Sequence, residues 1–121
     1  MAAVLALAAS PVFADCQKRA GLRPSASGSA LGASGKTDVR ARGAQQKFKV
    51  EMEAAVADGS TFVVWANGLS VGTLTMRLGE AQLELNNNNG NVLPAGTDPV
   101  CSITAVAVTD GKGNPLLEGN L

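Results

Sequence analysis

The side chains in this sequence that could do chemistry are scattered carboxylates, two cysteines, a run of asparagines and a cluster of cations. Glu51, Glu53, Asp58, Glu80, Glu84, Asp98 and Asp110 could supply the acid and base of a glycosidase. That mechanism, however, works inside a cleft, usually one walled by aromatics. The chain is 3% aromatic and has no tyrosine, so these carboxylates are expected as solvated strand and turn residues. Histidine is absent from the sequence, which removes Ser-His-Asp and Cys-His catalysis, the common zinc sites and imidazole pH switching. No catalytic residue, metal site or cofactor is expected.

Two loop motifs resemble ligand sites but lack the residues those sites need. Gly32 and Gly35-Lys36-Thr37 have neither the spacing nor the preceding strand of a phosphate-binding loop. Asp110 to Asn114, DGKGN, places oxygen donors at alternate positions like the start of a calcium loop. It lacks the bidentate glutamate at the twelfth position, and a hairpin turn explains it better.

The cysteines speak to compartment. Residues 1–14, MAAVLALAASPVFA, read as a secretory signal: an apolar run too short to span a bilayer, then a Ser-Pro break and small residues at signal-peptidase spacing. Without a basic n-region, the segment reads as a truncated signal. Asp15 before Cys16 disfavours lipid anchoring. A mature chain starting at Asp15 keeps Cys16 and Cys101 in an oxidising environment, where an intrachain disulfide is expected. In the chain-entropy model a bridge over that separation contributes at most ~4–5 kcal/mol. An interchain bond or two free thiols are the alternatives. The expected location is secreted or periplasmic, with no membrane span.

Charge is the one pattern above background. Residues 15–49 carry eight basic side chains against two acidic ones, and residues 50–121 carry two against eight, so the net charge of zero hides a polarised chain. The basic face is expected at Arg40, Arg42, Lys47 and Lys49. Three readings follow: neutralisation within one molecule, head-to-tail association between molecules, or a grip on an anionic surface polymer. Nucleic acid is a poor partner because stacking aromatics are missing.

These residues need elements to hold them. KFKVEMEA alternates Phe48, Val50 and Met52 with Lys47, Lys49, Glu51 and Glu53, the period of a half-buried antiparallel strand. TDVRAR alternates more weakly. TFVVWA, VGTLTMR, AQLEL, VCSITAVAV and LLEGNL follow, separated by Asp-Gly, Asn-Gly and Leu-Gly-Glu turns; Asn67-Gly68 is the preferred tight-hairpin pair. The fold expected is all-β, an antiparallel β-sandwich or small barrel of about seven strands with hairpin connections. Its domain is 36–121, preceded by a flexible Gly/Ser-rich basic arm at 15–35. Phe48, Phe62 and Trp65 are expected in its core.

The asparagines Asn86, Asn87, Asn88, Asn89 and Asn91 favour a bend, since asparagine tolerates left-handed backbone and bonds its own chain. They open a long loop, expected as an exposed recognition tip. A signal, a Gly/Ser-rich arm, SGK opening a strand, then FKVEME and VVWANGLSVGTLTM together resemble small secreted bacterial β-domains of unassigned function, over residues 31–121. The resemblance implies the same fold and brings no catalytic residue. The function expected is a secreted, non-enzymatic structural or protein-interaction module. It would self-assemble through its basic N-terminal segment or bind another envelope protein. The alternative is a module for cell-surface polysaccharide or another anionic ligand.

Overall fold

The structure, a computed structural model, describes residues 15–121; the expected signal at 1–14 lies outside the described residues. Among the described residues eight strands form one antiparallel sheet: β1 (Cys16–Pro24), β2 (Ser34–Arg42), β3 (Gln45–Glu53), β4 (Thr61–Ala66), β5 (Leu69–Thr75), β6 (Glu80–Asn86), β7 (Ala105–Thr109) and β8 (Pro115–Asn120). Their order is β5-β4-β7-β8-β1-β2-β3-β6. The end strands β5 and β6 share no ladder but meet through side chains, Leu83 lying against Gly72. The sheet is therefore a nearly closed barrel, filled by Val39, Phe48, Val50, Met52, Val64, Leu74, Ile103, Val108 and Leu117, all at most 1% exposed.

Local chemistry explains the tight turns. Asn67 and Gly68 join β4 to β5 with φ of 49° and 81°, the left-handed pair that matches strand twist. In the β7–β8 turn the Asp110 carboxylate accepts from the backbone of Lys112 and Asn114 and from the Asn114 side chain. DGKGN is a hairpin turn, as expected. The barrel closes through ladders that no hairpin supplies: β3 with β6, β4 with β7 and β1 with β8.

Four expectations change. Residues 15–35 are not a flexible arm: β1 pairs with β2 and β8, and a short helix α1 (Ala26–Ala30) packs on β8. The small and polar residues that suggest a linker serve here as strand and close-packed corner. The strand count rises to eight because β1 alternates by burial more than by hydrophobicity; Cys16, Lys18 and Ala20 are half-buried between exposed Gln17, Arg19 and Gly21. Cys101 lies not in β7 but in a 3-10 turn, Val100–Ser102, ahead of it. Trp65 lies on the outer face, because Phe62, Val64 and Ala66 take the inward phase of β4.

Cys16 and Cys101 form the expected intrachain disulfide, with a Cα–Cα distance of 5.9 Å and a separation of 85 residues. Lys18 reinforces it. Its Nζ donates to the carbonyls of Cys101 and Ile103 at 3.0 and 3.1 Å, so this cation is spent inside the fold.

Candidate functional site

The inward residues Val39, Ala41, Phe48, Val50 and Met52 of β2 and β3 are buried, and strand periodicity turns the residues between them outward. Register then arranges these in rows across the sheet. Gln17, Arg40, Lys47 and Asn86 stand opposite one another, with Arg42 facing Gln45 alongside. Arg19, Asp38, Lys49 and Glu84 form the next row, and Gly21, Lys36, Glu51 and Gln82 the one after.

The second and third rows neutralise themselves. Arg19 meets Asp38 at 3.4 Å, while Lys36 and Lys49 meet Glu51 at 3.4 and 3.3 Å. Burial pushes the Glu51 carboxyl up, but the hydrogen bonds and charges of Lys49 and Lys36 outweigh it and hold the group below its ordinary value. Lys49 therefore separates from the expected basic face. Arg40, Arg42 and Lys47 behave differently, making neither an ion pair nor a side-chain hydrogen bond among the described residues. They line a shallow groove of about 270 Å³ with Gln45, Gln46 and Asn88.

The asparagine run is thus joined to the cations, a convergence that sequence spacing does not reveal. Its members divide by task. Asn87 is structural: its Oδ1 accepts from the Gln46 backbone N–H at 2.9 Å and its Nδ2 donates to the Ala44 carbonyl at 2.7 Å. Asn86 donates to Glu84 and accepts from the Asn88 N–H. Asn88 lines the groove, Asn89 takes the left-handed bend at φ 57°, and Asn89 and Asn91 are exposed.

Gln46 is a residue that sequence reasoning missed. Its side chain accepts from the Val100 N–H at 2.7 Å and donates to Asp98 at 3.2 Å, tying the start of β3 to the disulfide-bearing turn. An uncharged side chain at a strand end carries no signal for such a role. Acids near the cations are also engaged: Asp15 accepts from the Gly43 N–H at 2.7 Å, and Asp98 holds Gln46.

Among the described residues no group of three or more His, Cys, Asp or Glu side chains is placed to hold a metal ion. No helix there is long and apolar enough to cross a membrane. The disulfide is of the kind that persists in oxidising compartments. Comparison with family models, curated proteins and solved structures gives no significant match. The class that can be stated is an all-β, disulfide-bonded small barrel.

Proposed function

We propose that this chain is a secreted or periplasmic, non-enzymatic binding module that holds an acidic polysaccharide of the cell surface against Arg40, Arg42, Lys47 and Asn88. One observation carries the reading: on a face where Arg19, Lys36 and Lys49 each meet an acid, these three cations gather without one. Guanidinium forks suit carboxylate, sulfate and phosphate groups, and the Asn88 amide adds a donor and an acceptor for hydroxyls. The groove is open and shallow, which fits an extended chain better than an enclosed small ligand. The test is retention on immobilised heparin as a polyanionic probe. Combined Arg40→Glu, Arg42→Glu and Lys47→Glu should elute at far lower salt, while Lys49→Gln should elute with the parent. Equal retention of all three proteins would remove the proposal.

Self-association is the second reading, and one observation favours it. Beyond the paired rows the same face ends in Glu53 opposite Glu80, so the basic end of one copy faces an acidic end on the next, a head-to-tail contact. It would run through the sheet face, because residues 16–24 are built into the sheet and cannot act as a swinging arm. Light scattering decides it: mass should rise with concentration at low salt and return to monomer in Glu53→Lys, Glu80→Lys.

A further inference from the structure

The groove over Trp65 is built from β1, β4, β7 and β8 and shares no lining residue with the groove above. Register places Ser70, Trp65, Ala107, Glu118 and Arg23 in one row across β5, β4, β7, β8 and β1. The indole is pinned, its Nε1–H donating to Thr109 Oγ1 at 2.9 Å. With the polar edge of the ring already bonded, what remains is a fixed apolar plate. Small residues, Ala105 and Ala107, keep the space beside it open, and the groove has a volume of about 450 Å³. Its rim is polar, with Arg23 and Glu118. The Arg23 side chain makes no ion pair or hydrogen bond among the described residues, although it stands opposite Glu118.

We propose that this groove is a sugar-ring subsite of the polysaccharide-binding surface, with a pyranose stacked on Trp65 and its acidic group directed to Arg23. A pyranose has apolar C–H faces and a hydroxyl edge. A single fixed plate bordered by one cation and one acceptor carboxylate complements both. A lipid or an apolar peptide would leave Arg23 and Glu118 desolvated without partners, which is costly. The same polymer suits both grooves because each presents cations that pair with no acid, Arg23 at one and Arg40, Arg42 and Lys47 at the other, while Arg19 and Lys36 between them are paired with Asp38 and Glu51. From β4 to β2 is four strand spacings, roughly 19 Å along the sheet. The inference rests on the polysaccharide reading of the basic face, and its test separates the two.

Trp65 is the only tryptophan, so intrinsic fluorescence reports this groove alone. The full chain is titrated with oligogalacturonate and, in parallel, with neutral dextran fragments, each followed by fluorescence and by calorimetry. Oligogalacturonate should release heat and change the emission. Trp65→Ala should bind it about tenfold more weakly, the worth of a well-made aromatic contact. Ala107→Gln, which fills the groove without touching the core or the net charge, should do the same should Trp65→Ala fail to fold. Heat without an emission change, with both variants binding like the parent, overturns the subsite and leaves the basic-face reading standing. No heat with oligogalacturonate overturns the acidic-polymer reading; an emission change with dextran alone would then detach the groove from it.

Discussion

Asn87 completes the β3 ladder with its side chain, exchanging backbone and amide bonds with Gln46 and reaching Ala44 beyond it. A loop that has stopped being a strand thus continues to satisfy the strand beside it. Asn87→Ala leaves the Gln46 N–H and the Ala44 carbonyl without that partner. A loss of about 1–3 kcal/mol is expected in urea denaturation, with weaker polymer retention because Asn88 loses its support. Asn91→Ala, exposed and outside the groove, should stay within about 0.5 kcal/mol of the parent.

Gly28 of α1 lies so close to β8 that a Cβ there would stand 2.1 Å from the Leu116 carbonyl oxygen and 3.3 Å from Pro24 Cβ. The Ser25 cap fixes this approach, its hydroxyl accepting from the Gly28 N–H and donating to the Pro115 carbonyl. Gly28→Ala must push a backbone away, and should cost ~2–3 kcal/mol despite alanine's helix propensity. Gly21→Ala on β1 meets nothing within 4 Å and should be neutral or slightly stabilising by chemical denaturation.

These two sites mark where sequence reading succeeds and fails. Phe48, Val50 and Met52 alternate with charged residues, so β3 and its inward face are legible directly. The Asn67-Gly68 hairpin is legible from the backbone geometry those residues allow. β1 is not, because its inward positions include Cys16, Lys18 and Ala20, and Lys18 is accommodated only because two carbonyls receive its ammonium group. Gly28 and its neighbours read as linker because a close backbone approach and a flexible tether demand the same small residues. In the candidate site, outward Arg40, Arg42 and Lys47 follow from period two. Their union with Asn88 depends on the β3–β6 ladder, a pairing between strands separated by β4 and β5. Residue type alone points Trp65 to the core, but the phase of β4 gives the core to Phe62, Val64 and Ala66.

Asp110 gives a pH prediction. Its hydrogen bonds from the Asn114 side chain and backbone, then from Lys112, hold its carboxyl below the ordinary value against a smaller opposing effect of burial. A carboxyl depressed on folding adds stability above its unfolded value and loses it as pH falls through the folded one. Asp110→Ala should therefore melt below the parent at pH 7. The gap should close as pH drops beneath about 4. A gap that widened on acidification would contradict the assignment.

The disulfide and Lys18 restrain the same turn from two directions. Paired Cys16→Ser and Cys101→Ser should cost roughly 2–5 kcal/mol through the freed loop entropy. Lys18→Met keeps the aliphatic stem but leaves two carbonyls without their charged donor, and should cost about 1–3 kcal/mol. Because both act on residues 101–103, the triple variant should lose less than the sum. A double-mutant cycle by urea denaturation measures the shortfall, and strict additivity would show that the two restraints are independent.

Leu83 closes the barrel where the backbone does not. A Cβ on Gly72 would come within 2.7 Å of Leu83 Cδ2 and 3.1 Å of Cδ1, so the leucine occupies the space a larger residue on β5 would need. Strand edges left uncovered tend to pair with other chains. Leu83→Ala should cost about 1–3 kcal/mol, less than a fully buried leucine because Leu83 is half-buried, and should expose both edges. Glu80 and Glu84 point outward along β6 and would repel a second copy, so association of this variant should strengthen as added salt screens them. Head-to-tail contact between the basic and acidic ends has the opposite salt dependence. Light scattering of Leu83→Ala across a salt series therefore reads the seam alone, and a variant that stays monomeric at every salt concentration would show that Leu83 is not what keeps the edges apart from partners.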